Sequence, residues 1–223
     1  MAIVCTVQPT QEPITLQEAK DHLRVTGTDE DSLITSLIVS ARLYAEMLTR
    51  RVFVTQTWKM VIDQFPMPGM NISSANWYGP QWGTAPGPLT SLRPDGKTGY
   101  EIYLMTPPIQ SITSVKYYDI NGVQQTLDPA TYLLDNVTEP SRLVPAPNTN
   151  WPSTQNRINA VEVLFVAGYG TPLQVPEGIK SWIKLRIATL YDHRAEIDII
   201  QRAQVIKLPH ADGLLDPYRV FQF

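Results

Sequence analysis

The run Asp29-Glu30-Asp31-Ser32-Leu33-Ile34-Thr35-Ser36-Leu37-Ile38-Val39-Ser40-Ala41-Arg42-Leu43-Tyr44-Ala45-Glu46-Met47-Leu48-Thr49-Arg50-Arg51 decides the fold class of this chain. Leu33, Ile34, Leu37, Ile38, Ala41, Tyr44, Ala45 and Leu48 recur at three- and four-residue steps, which puts one apolar stripe on a helix. The acids at its start suit the positive end of the helix, and Arg50 and Arg51 suit the negative end. The period then changes. Val54, Trp58, Met60 and Ile62 alternate with Thr55, Thr57, Lys59 and Asp63, as in a strand, with Gln56 interrupting the apolar face. A long helix handing over to a strand makes the chain α+β.

Working outward, Thr15 and Glu18 form a capping-box pattern that starts a short helix, roughly Leu16 to Arg24, with Gly27 as its breaker. Beyond Phe65-Pro66 the chain turns to strands. Tyr100 to Met105 reads as one. Ile112 to Tyr118 and Gln124 to Leu127 read as a hairpin around Asn121-Gly122, a strong tight-turn signal. Tyr132 to Leu134 and Ala160 to Val166 add more, and Gly168-Tyr169-Gly170 is a turn. Pro176 suits a helix start, because a first-turn residue needs no amide. Ile179, Trp182, Ile183, Ile187, Leu190 and Tyr191 then make a second stripe that ends near Arg194.

Two stripes of this size are too apolar to leave in water, so their helices are expected to pack together. The expected organisation is a small bundle of amphipathic helices from both chain ends with a β-rich insertion and a long arm. Residues 1–51 and 176–207 would form the helical core. Residues 52–175 would form the insertion, with a Pro/Gly-rich arm at 66–99, and residues 208–223 an apolar C-terminal tail. A structureless connection as long as that arm is uncommon in a compact domain. Its Trp77, Tyr78 and Trp82 exceed what a solvated loop needs, and either pack within the fold or anchor on a partner, such as an adjacent subunit.

With 223 residues, 43% of them hydrophobic, the chain can bury a real core. Its net charge of −3 and the acid-leaning stretch from Glu12 to Asp31 argue against tight DNA binding, which needs a basic patch. The lone Cys5 allows no internal disulfide, so folding is not expected to need an oxidising compartment. Neither a signal peptide nor a membrane span is expected. His22, His193 and His210 have no second ligand at metal spacing, and no phosphate loop or zinc helix occurs. His193 beside Asp192 reads as a polar helix end, and Asp29 with Asp31 as a helix start rather than a glycosidase pair. No catalytic residue, cofactor or metal is expected. A sugar- or receptor-binding module built on Trp77, Tyr78 and Trp82 is the alternative reading.

In order along the chain, several motifs resemble the head–tail connector (adaptor) family of tailed bacteriophages and phage-like gene transfer agents. They are Pro13-Ile14-Thr15-Leu16 through Leu23-Arg24, the acidic Asp29-Glu30-Asp31 start, and Val54-Thr55-Gln56-Thr57-Trp58. Pro107-Pro108-Ile109 through Asp119, Tyr132-Leu133-Leu134-Asp135, Trp151-Pro152, Val163 through Gly170, and Leu214-Leu215-Asp216-Pro217-Tyr218-Arg219 continue the series. Residues 66–99 are longer than the family pattern. The resemblance implies a virion structural protein made in the host bacterial cytoplasm, with no reaction. It implies a ring of about twelve copies with heterologous contacts, between the portal protein and a tail-side neck or stopper protein, with double-stranded DNA passing non-specifically. In that setting the tail residues Leu214, Leu215, Pro217, Tyr218, Arg219 and Phe221 are candidates for docking on the portal.

Overall fold

The computed structural model describes residues 1–66, 100–193 and 213–220. The capping box forms as its sequence requires. Thr15 Oγ1 accepts from the Glu18 amide at 3.1 Å, and Glu18 Oε2 accepts from the Thr15 amide at 2.7 Å. This starts helix α1 (Leu16–Leu23). The Thr15 amide also holds the Glu18 carboxyl below its ordinary pKa, against a smaller opposing effect of burial. The helix ends before Gly27, because Arg24 itself turns left-handed at φ 59° and sends its amide back to Asp21 and Lys20.

Helix α2 (Asp31–Thr49) is tied to α1 by Lys20 Nζ, which lies 2.6 Å from Asp31 Oδ1. Arg50 closes it with another left-handed residue, φ 56°, and Arg51 lies beyond the helix. Helix α3 (Glu177–Asp192) begins just after Pro176. Tyr191 donates from its hydroxyl to Glu30 at the head of α2.

The three helices share one core. Ile34, Ile38, Ala41 and Ala45 of α2 meet Ile179, Trp182, Ile183 and Ile187 of α3, with Ile14, Ala19, Phe53, Val54 and Val175 around them. Ala41 and Ala45 are fully buried, and small side chains there let backbones approach. Each buried Ile contributes roughly 1.5–3 kcal/mol.

The strands form two antiparallel sheets. The larger has the order β1-β2-β8-β4-β5. Its members are β1 (Ala2–Val7), β2 (Gln56–Ile62), β4 (Ile109–Tyr118), β5 (Gln124–Thr126) and β8 (Val161–Ala167). In the central strand β8, Val161, Val163, Phe165 and Ala167 are all fully buried, while Glu162, Leu164 and Val166 alternate toward the other face. The expected β4–β5 hairpin turns at Gly122, φ 81°, and Asp119 Oδ1 accepts from the amides of Asn121 and Val123. The smaller sheet, β3-β7-β6, comprises β3 (Ile102–Leu104), β6 (Tyr132–Asp135) and β7 (Ser141–Pro145). Nearby, Phe65 stacks on Trp151 at 4.8 Å, and the Trp151 indole donates to the Tyr100 carbonyl.

The chain divides into two compact units: a β-unit containing Met1–Gln8 and Gln56–Ala167, and a helical unit containing Pro9–Thr55 and Gly168–Val220. This differs from the boundaries expected from sequence. Residues 2–7 leave the helices for the sheet, where Ile3 stands opposite Met60 and Cys5 opposite Trp58. Phe53, Val54 and Val175 belong to the helical core because their side chains are buried in it. Gly168 passes so close to Val54 that a Cβ would lie 2.6 Å from its carbonyl oxygen, and its φ is +121°. Only glycine fits that crossing.

Candidate interaction surfaces

Among the described residues no group of three or more His, Cys, Asp and Glu side chains could hold a metal ion. His22 lies on α1, and His193 caps α3 by donating its amide to Thr189. His210 lies outside the described residues. Asp31 is engaged by Lys20 rather than aimed into a cleft with Asp29. Among the described residues no helix is long and apolar enough to cross a membrane.

The tail candidates divide. Leu215 is fully buried in the core of the helical unit, and Leu214 and Tyr218 pack against that core. For Leu215 this replaces the expected place in a partner's groove. The prolines that bar a regular helix still allow a 3-10 turn over Asp216–Tyr218, and that turn is enough to seat it. The Val220 amide donates to the Thr49 carbonyl at 3.0 Å, and Arg51 Nε to the Tyr218 carbonyl at 2.6 Å. Pro217 is exposed, and Arg219 is half-exposed with Nε 3.3 Å from Asp216. Phe221 lies outside the described residues, as do Trp77, Tyr78 and Trp82 of the arm.

The smaller sheet presents an open groove lined by Tyr100, Glu101, Leu133, Asp135, Arg142 and Val144 among others. Its polar anchor is Arg142, whose Nε donates to Asp135 Oδ2 at 2.8 Å and whose Nη1 lies 3.9 Å from the buried Glu101. That guanidinium holds the Asp135 carboxyl down at about 2, from an ordinary 3.8, with slight burial opposing and Thr138 and Val137 assisting. A carboxyl depressed in the folded state stabilises above its unfolded pKa, and the contribution is lost as pH falls through about 2. Arg142→Ala is expected to raise the Asp135 midpoint toward 3.8 in an NMR titration. An unmoved midpoint would show that the clamp is not its cause.

Sequence reasoning passed over several exposed apolar side chains. Leu43 and Met47 project from α2, while Tyr44, counted in the apolar stripe, is itself partly exposed and stacks on Trp182 with 5.9 Å between ring centroids. Val4 and Val7 project from β1, and Ile120 and Val123 flank the β4–β5 turn. The only sequence sign of the last four is that residues 1–11 and 120–127 contain no charged side chain.

Residues 13–71 match the family model described as phage gp6-like head-tail connector protein. The whole chain is also similar to solved structures. A chain in the virion of a native gene transfer agent particle superposes with a TM-score of 0.70 at 16% identity, covering 100% of this chain and 97% of that one. A chain in the neck of an empty particle, computed with C6 symmetry, gives 0.68 at 17% identity with the same coverage. One in the neck of a native particle, computed with C12 symmetry, gives 0.66 at 14% identity, again over 100% and 97%. At such identities the likeness is one of fold. No curated protein matches the chain. Residues 13–71 are thus similar to the phage gp6-like head-tail connector family, and over its full length the chain has the fold of those gene-transfer-agent chains.

Proposed function

We propose that this protein is a structural virion component: one subunit of a ring that joins the portal to the tail and lets the genome pass. The observation that carries this reading is the coincidence of a connector-family match at residues 13–71 with a full-length fold match to chains of gene-transfer-agent necks. The reading assigns the chain no reaction. Copies related by a cyclic axis meet through heterologous surfaces, one face of each against a different face of the next. The tail-side partner is a neck or stopper protein. On the portal side, Pro217, Tyr218 and Arg219 are the docking candidates that keep exposed surface among the described residues. On this reading Trp77, Tyr78 and Trp82, which lie outside the described residues, are candidates for contact with the adjacent subunit or another neck protein.

Gold-labelled antibody against the chain, applied to intact particles, is expected to mark the junction of head and tail. Labelling of tail fibres or of the capsid faces would contradict the reading. A conduit must also let DNA slide. With a net charge of −3 per copy, the assembled ring is expected to bind duplex DNA weakly. Tight binding that falls steeply with salt, followed by fluorescence anisotropy, would show that the lumen grips its cargo instead.

A further inference from the structure

We infer that the two edges of the five-stranded sheet are the heterologous contact between copies: β1 of one copy pairs with β5 of the next, and the sheet runs on from subunit to subunit. The inference rests on the ring reading above and names the surface that would close it.

An open strand edge offers unpaired amides and carbonyls, and proteins usually blunt it with charge, proline or a covering segment. Neither edge here carries the first two. β1 is a six-residue strand, Ala2–Val7, with neither charge nor proline. Among the described residues it pairs on one side only, with β2. Val4 and Val7 are 52% and 54% exposed. At the far side β5, Gln124–Thr126, is fully exposed and uncharged, and Leu127 extends it by donating to the Val115 carbonyl. Ile120 and Val123, beside that edge, are 69% and 54% exposed. The smaller sheet differs, since its edge strand β6 carries Asp135, paired with Arg142. Apolar, uncharged edges at both ends of one sheet are complementary to each other and poorly suited to permanent solvent.

Topology fixes the direction of the pairing. Every neighbouring pair in the sheet is antiparallel, so the first and fifth strands of the order, β1 and β5, point the same way. A neighbour related by a small rotation about the ring axis keeps that sense, so β5 would meet the neighbour's β1 in the parallel sense. The contact joins unlike edges, so it closes a ring rather than stopping at a two-fold dimer.

The test uses the full chain and measures oligomer mass against concentration for wild type, Val4→Lys, Val4→Lys/Val7→Lys, Gln124→Glu, and Val4→Lys/Gln124→Glu. Both valines are exposed, so the lysine variant should melt as wild type does while assembling about tenfold or more weakly. Adding Gln124→Glu to Val4→Lys should restore part of the assembly, because the contact then joins a positively charged edge to a negatively charged one. Wild-type assembly by the double-lysine variant, or no rescue by the charge pair, would overturn the edge contact and leave the ring reading standing. A wild-type chain that never assembles, alone or on its portal, would overturn both.

Discussion

Replacing Arg42 with methionine is expected to destabilise the helical unit by about 3–5 kcal/mol, the usual cost of removing one partner from a buried ionic cluster. Only 3% of the Arg42 side chain is exposed. Its Nε lies 2.6 Å from Glu12 Oε2, and its Nη1 lies 2.8 Å from Glu46 Oε2. The other Glu46 oxygen accepts the Phe53 amide at 2.9 Å. One guanidinium thus ties the lead before α1, the α2 helix and the segment after it. Burial works against the charged form, but hydrogen bonding to Glu12 and the charge of Glu46 outweigh it, and the Arg42 pKa lies above its ordinary value. Methionine keeps the bulk but leaves Glu46, 12% exposed, without its cation. Arg42→Lys should fall in between, because a single ammonium cannot reproduce the two-pronged geometry. Urea unfolding of the three proteins measures the series. A methionine variant as stable as wild type would mean that the cluster is solvated and contributes nothing.

The second large effect is expected at Leu215→Ala, a loss of roughly 2–5 kcal/mol from transfer and cavity terms together. Leu215 has no exposed surface and lies in the same core as Ile179, Ile183 and Phe53. Tyr218 sits against the first turn of α3, where a Cβ on Gly178 would come within 3.2 Å of its ring. The melting temperature of the isolated protein should therefore drop on the order of 10 °C. Pro217→Ser, at an exposed position, should leave melting unchanged and report only on partner binding. An unchanged melting temperature for Leu215→Ala would return the whole tail to the role of a docking segment.

Much of the fold is legible because local pattern and tertiary burial agree. The α2 and α3 stripes, the Thr15–Glu18 box, the Asn121-Gly122 turn and the alternation through Val161, Val163 and Phe165 each state locally what the core later requires. Elements decided by distant partners were not legible. β1 carries the β-branched Ile3, Val4, Thr6 and Val7, but without a clear apolar/polar alternation, and its place in the sheet is set by its pairing with β2. β7, Ser141–Pro145, likewise has no clear period of its own. Arg24 ends α1 in a conformation that glycine usually takes, so the sequence points to Gly27 as the breaker instead. Arg42 lies inside the helical period and reads as a surface arginine until Glu12, thirty residues earlier, is found beside it. An apolar tail needs burial, but the sequence does not say in whose core; for Leu215 it is the core of the helical unit. As for the interaction surfaces, an exposed Val4 or Ile120 carries no motif. It gains meaning only when the sheet order puts the two stretches at opposite edges.

The most direct test of the connector reading is the mass of the purified full-length protein, alone and mixed with the portal of the same particle, with electron microscopy of the mixture. The expected result is a closed ring of identical copies seated coaxially on the portal. A chain that stays monomeric with the portal at micromolar concentrations, or that binds it without forming a ring, would contradict the reading.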